Sequence, residues 1–146
     1  MIEKILTKDF VRTGVSASDW KEAIHEGVKP LLEKGYIEER YEKAILENFK
    51  ELGPYMVIAP GVVLSHARPE NGVVQMGMSI VNLLEGVKFG HETNDPVYLV
   101  ITLAASDNTS HLELLRELMG ILMEDTKLHT LKFEKDLQKV LALFHS

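Results

Sequence analysis

Cysteine is absent from this chain of 146 residues, and tryptophan occurs once. Without cysteine there is no disulfide, no thiolate nucleophile and no zinc or iron–sulfur site built on sulfur ligands. Long apolar runs are missing too. The longest, at 97–105 and 118–123, fall short of the roughly 18 to 20 apolar residues that span a bilayer. The N-terminus, Met1-Ile2-Glu3-Lys4-Ile5-Leu6-Thr7-Lys8-Asp9, lacks the basic-then-apolar layout of a signal peptide. The expectation is a cytoplasmic protein with no direct insertion into a membrane. Positive charge is in the minority, with 16 Lys and Arg against 22 Asp and Glu. That balance disfavours nonspecific nucleic-acid binding, which rests on basic side chains against phosphates. Histidine, serine, threonine, lysine and the carboxylates are left to carry any chemistry.

With 45% apolar and 26% charged residues the chain has the composition of an ordinary globular protein, and its length fits one compact domain. Ser16 and Asp19 resemble a capping box before a first helix, where Trp20, Ala23, Ile24, Val28, Leu31 and Leu32 recur at helical spacing. Pro30 is expected to bend this helix or end it early, and Gly35 to stop it. A second helix is expected at about 38–52, with Tyr41, Ala44, Ile45, Phe49 and Leu52 on one stripe and Gly53-Pro54 closing it. The middle of the chain turns to Val, Ile and Gly. Residues 56–58, 62–65, 73–81 and 97–105 read as strands, the last apolar enough to be central and buried on both faces. Helix returns with Ser110-His111-Leu112-Glu113 as a second capping pattern, and a final helix is expected from about 134. This order predicts an α/β fold, helices covering a mixed sheet.

Phosphate loops of the GxGxxG or GxxxxGK[ST] kind are absent, as is a GxSxG elbow. Of the six histidines, His25, His91, His129 and His145 read as surface, loop or terminal residues. No histidine pair has the i, i+4 spacing of a helical metal site, so no metal and no cofactor is expected. His66 differs. It ends the short apolar strand of Gly61-Val62-Val63-Leu64-Ser65-His66-Ala67-Arg68-Pro69, where a rigid scaffold can present a reacting atom, and Arg68 supplies a cation nearby. On position alone it is either a reacting imidazole or a structural one. His111 has a comparable case. With Ser110 as N-cap it would be the first helical residue, beside N–H groups that favour an anion. The other reading is an exposed first-turn residue.

The segment Ile58-Ala59-Pro60-Gly61-Val62-Val63-Leu64-Ser65-His66-Ala67-Arg68-Pro69-Glu70 resembles the IIA (EIIA) component of the bacterial sugar phosphotransferase system, mannitol/fructose class. Asn71-Gly72-Val73 after it and Gly53-Pro54-Tyr55 before it are closest to the ascorbate-type branch. The likeness covers essentially the whole chain, so residues 1–146 are expected to form one EIIA type-2 domain, a three-layer sandwich with a central mixed sheet. The resemblance implies that His66 takes a phosphoryl group from the histidine-containing phosphocarrier protein. It passes the group to a cognate EIIB, which serves the membrane component EIIC in sugar uptake, here of ascorbate. His111 matches a second histidine that helps hold the group, and Arg68 and Ser110 are the expected phosphate-binding residues. Two departures stand out. Ser65 replaces a common proline, and the second helix reads Leu46-Glu47-Asn48-Phe49 where mannitol-type members carry a phosphate-binding arginine. Arg68 is the expected substitute. Many EIIB domains use cysteine as acceptor, so the next carrier should be another chain. The alternative is a regulatory module switched by phosphorylation, as in the nitrogen-related branch; a metal-dependent hydrolase is a third reading.

Overall fold

The computed structural model describes residues 1–145. In chain order they form helix α1 (Ile2–Ile5), strand β1 (Val11–Val15), helices α2 (Trp20–Glu33) and α3 (Glu39–Leu52), and strands β2 (Val57–Ala59), β3 (Val62–Ser65), β4 (Gly77–Val87) and β5 (Val97–Ala104). Helices α4 (Asn108–Leu122), α5 (Asp125–Phe133) and α6 (Leu137–Leu141) follow. The strands make one mixed sheet in the order β1-β4-β5-β3-β2. β1 is parallel to β4 and β3 to β5, while β4–β5 and β2–β3 are antiparallel.

Strand alternation shows how the layers are built. Ser79 and Thr102 are register partners and so share one face. That face meets α2, where the Ser79 hydroxyl donates to the Gly27 carbonyl. Asn82, three residues on from Ser79, points the other way and donates to the carbonyls of Leu131 and Glu134 at the end of α5. Helices therefore cover both faces, giving the expected three-layer α/β sandwich. β5 lies in the interior of the sheet, and of its residues only Tyr98 escapes full burial. No helix among the described residues is long and apolar enough to cross a membrane.

The helical expectations hold with local changes. Asp19, not Ser16, caps α2, its carboxylate accepting the Glu22 N–H at 2.9 Å. α2 runs on through the buried Pro30 to Glu33, because the packing of Ile24, Val28 and Leu31 outweighs one missing hydrogen bond. The strand expected over 73–81 begins only at Gly77. Upstream, the N–H groups of Val74 and Gln75 both donate to the Tyr36 carbonyl, which draws that segment to the α2–α3 connection instead. No sequence pattern announces α1, β1 or α5. β1 is a short edge strand interrupted by Gly14 at φ 64°, and α5 has little apolar periodicity beyond Leu128 and Leu131. The last helix is shorter than expected, restarting at Leu137 with Asp136 as its cap.

Gly27 permits the close approach of α2 to the sheet. A Cβ there would lie 2.7 Å from Val100 Cγ1 and 2.8 Å from Thr102 Oγ1, both fully buried. Gly27→Ala is expected to cost about 1–3 kcal/mol of unfolding free energy by overpacking. Urea denaturation measures this, and an unchanged midpoint would mean that α2 can shift off the sheet freely.

Candidate active site

Parallel strands end at the same edge of a sheet, and β3 and β5 are parallel neighbours in register from Val62↔Leu99 to Ser65↔Thr102. The residue after β3 is His66, and the connection after β5 leads into α4, which carries His111. The two imidazoles consequently meet, their ring centroids 5.9 Å apart and their planes at 53°. They line a cleft of about 360 Å³ with Asn48, Tyr55, Arg68 and Asp107 among its other walls.

His66 is held from within its own strand. Its Nδ1 lies 3.2 Å from the Leu64 carbonyl oxygen. A carbonyl only accepts, so Nδ1 carries the proton and donates, leaving Nε2 with a free lone pair. The ring of Tyr55 stands edge-on to it at 6.4 Å. Tyr41, on α3, sits behind the segment. Its hydroxyl donates to the Leu103 carbonyl at 2.6 Å and accepts the Ala67 N–H at 3.0 Å. Burial pushes the pKa of this phenol up to about 12, so it stays protonated.

The start of α4 differs from the sequence expectation. Asp107 is the N-cap, with Asn108 the first helical residue, so Ser110 and His111 lie further inside the first turn. The Ser110 N–H donates to the Asp107 carboxylate at 2.8 Å, and the His111 N–H to the Asp107 carbonyl at 3.1 Å. Both amides are therefore engaged within the helix, and Ser110 is not among the lining residues of the cleft. Ser110 serves Asp107, holding its carboxyl below the usual carboxylate range through the N–H first and the hydroxyl second. What His111 offers is its side chain. No protein group is hydrogen-bonded to its ring nitrogens among the described residues. Burial, and then the charge that His66 can carry, lower its pKa from 6.5.

Arg68 is exposed on the rim of the cleft and has no carboxylate partner among the described residues. Asn48 and Tyr41 are the residues that motif reading passed over. With Leu52 they fall at i, i+7 and i+11 on α3, one helical face, and all three line the cleft. That periodicity was visible, but in Tyr41 it read as core packing alone. The half-buried Asn48 brings a carboxamide into the stretch without arginine. The other histidines lie apart: His25 pairs with Glu42, His91 Nδ1 accepts the N–H groups of Thr93 and Asn94, and His145 meets the Leu6 carbonyl.

An imidazole with a fixed tautomer, an open nitrogen and polar side chains around it suits nucleophilic transfer of a phosphoryl group through histidine. The sequence model of the family described as phosphoenolpyruvate-dependent sugar phosphotransferase system, EIIA 2, matches residues 4–146. The ascorbate-specific PTS system EIIA component of Salmonella typhi is 37% identical over 142 residues, 97% of this chain and 92% of that protein. The solution structure of the mannitol-specific cryptic phosphotransferase enzyme IIA CmtB from Escherichia coli has a TM-score of 0.87 at 34% identity, covering 99% of this chain and 98% of its own. Enzyme IIAMTL of Escherichia coli, solved in complex with phosphorylated enzyme IIBMTL, has a TM-score of 0.84 at 27% identity, with 96% of each chain covered. The chain belongs to the EIIA 2 family of the sugar phosphotransferase system, and is a phosphotransferase and phosphocarrier component of it.

His111 provides a pH test of the geometry. Its pKa is lower folded than unfolded, so near neutrality both states hold it uncharged and it exacts no penalty. As pH falls through the ordinary imidazole value of about 6.5, the unfolded chain takes up the proton first, and stability drops until the folded pKa is passed. An NMR titration should place the His111 midpoint below that of a free imidazole. His66→Ala should raise the midpoint only part of the way, since burial is the larger cause. Full return to the ordinary value would contradict the burial of the ring.

Proposed function

We propose that His66 is the phosphoryl acceptor, receiving the group from the histidine-containing phosphocarrier protein and handing it to a cognate EIIB that serves a membrane EIIC. The observation that carries this reading is the hydrogen bond from His66 Nδ1–H to the Leu64 carbonyl, which leaves Nε2 as the nucleophile beside His111. The Nε2 lone pair attacks phosphorus of the carrier's phosphohistidine. A new N–P bond forms as the carrier's N–P bond breaks, and the carrier's imidazole leaves with the electron pair. Nδ1 keeps its proton throughout, held by Leu64. His111 and Asn48 donate hydrogen bonds to the equatorial oxygens, and Arg68 approaches from the rim. The second transfer runs the same way, with the nucleophile of EIIB attacking and His66 Nε2 leaving.

The solved complex of enzyme IIAMTL with phosphorylated enzyme IIBMTL supports an EIIB partner. The ascorbate-specific relative supports ascorbate as the sugar taken up, with sugar choice lying in the membrane component. The protein acts in the cytoplasm, where the carrier is, and residues 1–146 act as one EIIA unit. The same relative leaves the regulatory reading less supported.

Incubation with phosphoenolpyruvate, enzyme I and the phosphocarrier protein is expected to deposit an acid-labile, base-stable phosphate, and His66→Ala to abolish it. Equal labelling of that variant would refute the assignment. His111→Ala should still be labelled, but roughly 10²-fold more slowly, the scale of losing one transition-state donor. Transfer to candidate EIIB proteins then identifies the partner.

A further inference from the structure

We propose that Tyr41 is the positioning residue of this site, its hydroxyl holding the backbone on the far side of His66 and tying it to the strand that leads to His111. The inference rests on His66 being the phosphoryl acceptor.

Tyr41 is fully buried. A phenylalanine would fill the same core space without a hydroxyl to satisfy, and a buried hydroxyl left unpaired is costly. Here its oxygen accepts the Ala67 N–H, and its proton goes to the Leu103 carbonyl at 2.6 Å with the Ala67 carbonyl a longer second acceptor at 3.2 Å, so every partner is a backbone group at the site. The Ala67 N–H that it accepts belongs to the peptide bond directly after His66. The Leu103 carbonyl to which it donates lies near the end of β5, just before the connection to α4. His66 is consequently held at two points. Its ring is tethered to Leu64, two residues before, and its following peptide plane to Tyr41. With the peptide fixed, the side chain's starting direction is fixed, and Nε2 faces the cleft.

Bonding to both segments also makes α3 a common reference for the two imidazoles. β3 and β5 pair only as far as Ser65 and Thr102. Beyond that point Ala67 and Leu103 meet through the Tyr41 hydroxyl, so the phenol continues the link between the strands past the end of their ladder. With its side chain fully buried beneath the cleft, it acts through the placement of His66 and His111.

The test is Tyr41→Phe in the full chain, assayed with the phosphocarrier system. The kcat for labelling His66 should fall by about ten- to a hundred-fold, the cost of a misplaced reacting group, with KM for the carrier unchanged. In the unphosphorylated variant the ¹⁵N shifts of the His66 ring should move from the separate values of a fixed tautomer toward an average. Loss of core stability alone would lower the melting temperature and leave the shifts as in wild type, and that result overturns the proposal, as does an effect confined to KM. Should the variant not fold, hydrogen exchange in the wild-type protein decides. The Ala67 amide should exchange much more slowly than that of Arg68, and equal rates would sink the clamp. If wild-type His66 takes no label the acceptor reading itself falls, and the ring shifts then judge the clamp alone.

Discussion

The parallel pairing of β3 with β5 is the constraint on which the site depends. Four consecutive register pairs align the two strands, and every residue in those pairs is buried. A slip of one residue would shift the end of β3 along β5 by about 3.3 Å and carry His66 away from the connection that leads to His111. The register of two buried strands thus sets where a polar side chain one residue beyond them stands. The same pairing explains why the histidines, far apart in the chain, share a cleft, since each follows a strand that ends at the same edge.

Around that frame two amides in the first turn of α4, those of Ser110 and His111, are already committed. Asp107 caps the helix and occupies the Ser110 amide, and its backbone carbonyl takes the His111 amide. The helix end is therefore a place where a carboxylate is held, and His111 contributes through an uncharged ring instead of through its backbone. Asn48 adds a neutral amide, and Arg68 stands outside in solvent.

Sequence reading recovered the parts of the molecule in which one physical pressure dominates. The apolar run of β5 could hardly be anything except an inner strand, and His66 stood out because it ends a short, mostly apolar strand with a cation two residues on. The resemblance to a known family added the role of His111 and the relay. The features that escaped are those decided by tertiary context. β1 is a short edge strand with a glycine inside it, and it exists because β4 offers a free edge. Residues 73–76 have strand-like composition, but the N–H groups of Val74 and Gln75 go to the Tyr36 carbonyl. The cap of α4 was misplaced because Asp107 and Ser110 are both good capping residues, and only the direction of the incoming chain from β5 chooses between them. Tyr41 was hidden by its own hydrophobicity, its helical periodicity describing the ring and saying nothing of the hydroxyl.

The near absence of fixed positive charge inside the cleft bears on energetics beyond this one molecule. A buried arginine or lysine pair would grip a phosphoryl dianion firmly and lower the energy of the loaded protein. A relay cannot tolerate such a sink, because a group that settles too deeply at one station will not move to the next. If His111 and Asn48 are the donors, with Arg68 only at the rim and a carboxylate at the wall, the loaded state stays shallow. On the proposed reading the cleft lowers the passage between stations more than it stabilises the stop, so that the group can run in either direction and the direction is set by supply and demand at the two ends of the chain of carriers.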